Sequence, residues 1–347
     1  MDNLKDFVTE ENKKEYDYVT FARQFDTFRW WKPFFTFFFG VIFYFIFCVI
    51  LVAVTMAGDF MYTGGNLDGF MARLQGGYDN LQIYDITGAL LNLGSIVLMI
   101  PAFIIARAIV HERSYSSYTS SRGGWSHTVF IKSLFVAALV VGAPMVLYTY
   151  YFTDHGEFHN QFGKYAFYLV LVLIPLQCIA EEYVFRGFLN QTLGAWFRVP
   201  IIAIVISAVG FAAMHPYNRI GQITIFISGI TMGLSAWIGR GLEVSSAMHI
   251  VNNYVAFLLD GFSISKISSE ITIEELILDA CIGAAYVGVI LLIRYKTDWF
   301  DRIKYHDAKE WNEDRASKKA RKAAIKKMKR DRREAKKAAK IAAKNDQ

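Results

Sequence analysis

An all-α, polytopic membrane helix bundle with about eight transmembrane helices is the fold class this chain predicts, and three observations carry that expectation. Of its 347 residues, 54% are hydrophobic and 16% aromatic, with a positive mean hydropathy. The apolar residues gather into long blocks, close to the roughly 20 residues that an α-helix needs to cross a hydrocarbon core of about 30 Å. Lys and Arg gather beside alternate ends of those blocks, as they do on the cytoplasmic side of multi-pass proteins.

The first block, residues 34–56, holds no charge and follows a polar stretch with seven acids. No small-residue cleavage pattern follows it, so it reads as a retained span rather than a signal peptide. Further spans are expected at 87–106, 132–152, 165–180 with its continuation, 201–214, 222–238, 244–259 and 276–293. Pro101, Pro144 and Pro175 fall inside them, and membrane helices tolerate interior proline because neighbouring groups satisfy the freed backbone. A short helix is expected at 67–77, outside the membrane core. The aromatic run of the first span is expected to face lipid or neighbouring helices.

Arg23, Arg29 and Lys32 precede the first span, Arg107, Arg113, Arg122 and Lys132 lie between the second and third, and Arg186 and Arg198 follow the fourth. The intervening loops are acidic: 59–85 has several Asp and one Arg, 154–159 holds Asp154 and Glu157, and 260–275 has one Asp, three Glu and one Lys. This predicts a multi-pass protein of the cell membrane with both termini cytoplasmic. The expected layout is a cytoplasmic segment over 1–33, a transmembrane bundle over 34–297 and a basic cytoplasmic tail over 298–347.

The formal net charge of +6 is uneven, because residues 315–347 alone hold 15 Lys/Arg against 3 Asp/Glu. The high isoelectric point therefore belongs to the tail, and no specific nucleic-acid partner is predicted. The tail consists of strong helix formers with hardly any apolar face. Its expected partners are anionic lipid headgroups, which contribute about 1 kcal/mol of attraction per nearby Lys or Arg. Cys48, Cys178 and Cys281 each sit in an apolar block, and their odd number implies neither a disulfide framework nor a CxxC metal site.

Ionisable residues at the centre of a membrane helix cost roughly 2.5 kcal/mol or more, so each needs a partner or a purpose. The fourth span runs into CIAEEYVFRGF, with Glu181, Glu182 and Arg186. Glu182 and Arg186 stand at i and i+4, where side chains meet. Glu181 lies about 100° around the helix and is left free of that pairing. The fifth span ends FAAMHP, with Phe211 one turn before His215, and the seventh contains MHIVNN, with His249 and Asn253 one turn apart. A short link at 198–200 joins the fourth and fifth spans. Counted from Val199, Glu181 is 18 residues before and His215 16 after, so in a helical hairpin they rise about 27 and about 24 Å and share a depth.

A carboxylate beside a neutral imidazole in a poorly hydrated pocket can act as a general base on water. An imidazole and a carboxamide one turn apart can donate to an oxyanion at an attacked carbonyl. These are the parts of a hydrolase without a covalent nucleophile, and no GxSxG supports serine chemistry. Other readings stay open: a purely structural Glu182–Arg186 pair, zinc held by two His and two Glu although HExxH is missing, and a proton-coupled transporter.

EExxxR, FxxxH and HxxxN, in that order and each at an apolar helix, resemble the CPBP family of CAAX proteases and bacteriocin-processing enzymes, also called Abi. The resemblance covers about residues 165–262. It implies a glutamate-dependent intramembrane endopeptidase acting on a peptide or protein in or near the membrane, without metal or cofactor. It implies that Glu181 activates water with His215 beside it, that His249 and Asn253 stabilise the oxyanion, and that Glu182 and Arg186 hold the geometry. Asn252 is expected to face elsewhere. The family also includes immunity and scaffold proteins, so a non-catalytic membrane partner is the alternative.

The charge bias and the depth arithmetic pull apart. With the 198–200 link cytoplasmic, the acids lie well across the bilayer, which sits awkwardly with a site facing the cytosol. A break in the fourth helix near Gly187 or Gly194 would shorten the distance.

Overall fold

The computed structural model describes residues 17–300 except 63, 69–70 and 72–82, together with scattered positions between 313 and 334. The short helix expected at 67–77, most of the tail and the first sixteen residues lie largely outside the described residues. The chain divides into two units, Met1–Ile303 and Lys304–Gln347. Described positions of the second unit are helical and exposed.

Eight helical rods build the first unit: α1 (Lys32–Tyr62), α2 (Ile86–Ile109), α3 (His127–Phe152), α4 (Ala166–Phe197), α5 (Pro200–Ala213), α6 (Arg219–Ile238), α7 (Leu242–Gly261) and α8 (Ile273–Lys296). Apart from α5 and α7, each is long and apolar enough to cross a membrane. At 14 residues α5 reaches only about 21 Å, short of the hydrocarbon thickness. α7 is long enough but carries Glu243, Ser245, Ser246 and His249, all buried. Protein rather than lipid surrounds it, since it packs on α3, α4 and α6, and polar side chains find partners there. α1 lies at the other extreme, with Phe34, Phe35, Phe37, Phe38 and Phe45 all exposed along its length.

Polar caps mark where the apolar runs begin. Asp85 accepts from Gly88 N, Ser126 from Val129 N and Asn218 from Gly221 N, while Thr272 and Glu275 form a reciprocal capping box. Each fills an orphan donor of a first turn. α4 stops at Arg198, in the left-handed region at φ 60°, and Pro200 opens α5. The interior prolines do not break the helices. A π-helical stretch at Ala138–Gly142 precedes Pro144, absorbing the lost backbone bond.

Nor is α4 broken near its glycines. It continues through a π-helical stretch at Tyr183–Leu189, and both glycines serve close approach instead. A Cβ at Gly187 would meet the Tyr118 carbonyl oxygen at 3.1 Å, and one at Gly194 would meet the Val19 carbonyl oxygen at 2.3 Å. The segment before α1 is thus seated on the bundle, with Tyr18, Val19, Phe21, Ala22 and Phe25 buried. At the other end Phe300 is buried and the Lys132 ammonium lies 4.6 Å over the Trp299 ring, so the bundle extends past residue 297.

Gly194→Val tests this seating. It should destabilise the purified protein by about 1–3 kcal/mol, the cost of overpacking a tight contact, with helical content preserved by circular dichroism.

Candidate active site

α4, α5, α6 and α7 converge on one buried ion pair. Arg186 Nη1 donates to Glu182 Oε1 at 2.9 Å, with 1% and 0% of the side chains exposed. Arg186 Nη2 reaches the Gly229 carbonyl of α6 at 3.3 Å, and its guanidinium lies 4.3 Å from the centre of the Phe211 ring of α5. His249 of α7 completes the set, its Nδ1 3.2 Å from the same Glu182 oxygen. Desolvating two charges costs several kcal/mol per ion. Partners from three further helices offset that cost and lock their mutual rotation.

The pair orients His249. Nδ1 faces the Glu182 carboxylate, and this fixes the ring so that Nε2 stands 3.8 Å from Glu181 Oε2, beyond hydrogen-bond range. His249 is thus an imidazole that meets Glu181. His215 lies past the end of α5, where its Nδ1 donates to the Phe211 carbonyl at 2.8 Å and its ring packs on Phe211 at 4.7 Å. The FxxxH spacing thus has a double sense: the phenylalanine carbonyl sets the tautomer of His215 while its ring covers Arg186.

Gln177, one turn before Glu181, was not singled out in the sequence. Its Nε2 donates to Glu181 Oε1, and its Oε1 accepts from Asn253 Nδ2 at 3.3 Å. Asn252 Nδ2 donates in turn to Asn253 Oδ1 at 3.2 Å. Asn252 therefore does not face elsewhere; it lines the same cavity as Asn253. The cavity takes in residues 252, 253, 256, 257 and 260 of α7, an arc wide enough for the 100° step between the two asparagines. A polar residue four positions before Glu181 in an apolar helix was the available signal for Gln177.

These amides tie down one oxygen of Glu181 and leave Oε2 buried without a hydrogen-bond partner. Glu181, His215, His249 and Asn253 all line one cavity of about 870 Å³. Glu182 and Arg186 lie behind its wall. Among the described residues no group of three or more His, Cys, Asp or Glu is arranged to hold a metal ion.

Comparison with known proteins bears on the same stretch. Residues 163–255 are similar to the family described as "Type II CAAX prenyl endopeptidase Rce1-like". The chain is also similar to the "Uncharacterized protein YyaK" of Bacillus subtilis (strain 168), at 34% identity over 91 residues. That match spans 24% of this chain and 30% of the relative's length. No solved structure matches.

Removing one partner of a buried pair strands the other charge. Arg186→Leu should cost about 3–5 kcal/mol of stability, read from denaturation of the purified protein in detergent. Arg186→Leu combined with Glu182→Met should recover most of it.

Proposed function

We propose, from the CAAX-protease-type match of residues 163–255 and the geometry of Glu181, that the chain is an intramembrane endopeptidase that hydrolyses a peptide bond with glutamate-activated water. The observation that carries this reading is the free, buried Oε2 of Glu181 facing His249 Nε2 across 3.8 Å.

In this mechanism a water lodges between those two atoms. As its oxygen bonds to the scissile carbonyl carbon, its proton passes to Glu181. His249 orients the water from the ring position that Glu182 fixes. Asn253 Nδ2 commits one hydrogen to Gln177 and keeps a second for the oxyanion. His215, whose Nδ1 is engaged by Phe211, turns Nε2 to the cavity and assists from the opposite wall. The C–N bond then breaks, and the proton held by Glu181 goes to the departing amine. One water is consumed, and one carboxylic acid and one amine result. Membership of the cell membrane with both termini cytoplasmic, and lipid attraction through the basic tail, belong to the same proposal.

Comparative proteomics of membrane fractions from cells carrying wild-type or Glu181→Gln protein should reveal a substrate that accumulates uncut in the variant. With that substrate, Glu181→Gln should lower kcat by about 10²–10⁴, the range for loss of a general base. Asn253→Ala should lower it by about 10²–10³, the range for loss of an oxyanion donor. Unchanged cleavage by folded Glu181→Gln protein would refute the mechanism. Intact in-cell function of Glu181→Gln with no cleavage by either protein would favour the immunity or scaffold alternative.

A further inference from the structure

The two ends of the bundle differ in charge and in closure, and the cavity belongs to one of them. At the first end the Lys32 ammonium donates to the His111 carbonyl at 2.8 Å, Arg122 Nη1 to the Gly239 carbonyl at 2.7 Å and Trp196 Nε1 to the Trp30 carbonyl at 3.1 Å. At the second end Gly163 N donates to the Tyr84 carbonyl, Gly156 N to the Ile264 carbonyl and Asn218 N to the Ser269 carbonyl, each at 2.9 Å. These bonds assign every described inter-helix loop to one end or the other.

Arg23, Lys32, Arg107, Arg122, Arg198 and Arg294 lie at the first end. Asp85, Asp154, Glu157, Asp260, Glu270 and Glu274 lie at the second, with Lys164, Arg219 and Lys266 among them. Positive charge is retained in the cytoplasm, so the first end is the cytoplasmic one.

That end is closed over the site. The chain between α2 and α3 folds inward there, with Ser117, Tyr118 and Ser120 wholly buried. Arg122 Nη2 meets Glu243 Oε2 at 2.7 Å at the start of α7, with 4% and 0% exposed. The rim of the cavity is instead made by Tyr84, Asp154, Gln161, Asp260, Ser265 and Lys266, from the last turn of α7 and the loops of the acidic end.

Asn253 lies eight residues before the end of α7 at Gly261, about 12 Å below it. An extended strand advances about 3.3 Å per residue, so about four residues reach Asn253.

We infer that the site takes its substrate from the non-cytoplasmic face, as an extended polypeptide segment threaded past the acidic rim. The substrate part rests on the endopeptidase reading; the direction of opening does not. It follows that cytoplasmic chain ends are not substrates.

The direction is tested by cysteine labelling in the full chain with Cys48, Cys178 and Cys281 replaced by alanine. Ser265→Cys at the rim should react with a membrane-impermeant maleimide in intact cells. Arg198→Cys should react only after permeabilisation. Labelling of Arg198→Cys in intact cells, alone or together with Ser265→Cys, overturns the inference, and so does protection of Ser265→Cys until permeabilisation. Because this reading needs no catalysis, it stands or falls apart from the Glu181 mechanism. Cleavage sites recovered from the proteomic comparison should lie in non-cytoplasmic segments, and sites in cytoplasmic segments overturn the substrate class.

Discussion

The buried Glu182–Arg186 ion pair is the constraint on which the rest of this structure depends. Two charges withdrawn from water in the middle of a helix bundle need partners. Arg186 finds the Gly229 carbonyl and the face of Phe211, and His249 meets the Glu182 oxygen that Arg186 holds, while Glu182 Oε2 stays buried without a hydrogen-bond partner. Four helices are thereby held in one rotational setting. What that setting leaves over is Glu181, one step along α4, whose second oxygen has no partner. Structure and candidate chemistry are thus adjacent residues with opposite fates: one carboxylate is neutralised by a fixed cation, the other is kept for the cavity.

Contacts within one helix were legible from spacing alone. The pairing of Glu182 with Arg186, and of Phe211 with His215, follows from the i and i+4 rule. Contacts between helices were not legible, because they depend on how each helix is rotated against its neighbours. Spacing therefore did not reveal that His249 meets Glu181, or that Asn252 joins Asn253 at the cavity. The π-helical stretch at Tyr183–Leu189 adds to this, since it changes the angular step just beyond the acids. Gln177 was overlooked because attention to ionisable side chains passes over a neutral amide, although burial makes its partners equally obligatory.

Hydropathy was informative where a helix faces lipid and ambiguous where it faces protein. α1 announces itself through an uncharged run, and its phenylalanines are exposed. α7 is central and for that reason the least apolar by need: its first ten residues are all buried, with Glu243 met by Arg122 and Ser126 N from the chain before α3 and His249 met by Glu182 of α4. The same logic explains why the polar chain between α2 and α3 reads as an ordinary loop yet packs inward as a plug, with Arg122 and Glu243 meeting beneath it. On the inferred opening at the acidic end, the charge bias and the depth of the acids no longer conflict.

The central claim is that Glu181 activates water and is not itself acylated, and isotope transfer separates these two chemistries. A single turnover of substrate in H₂¹⁸O, followed by mass spectrometry of both product and enzyme, reports where the label goes. The account predicts one ¹⁸O in the new carboxylate of the product and none in the peptide that contains Glu181. Label in the Glu181 carboxylate would contradict it, because that requires a covalent anhydride opened by water.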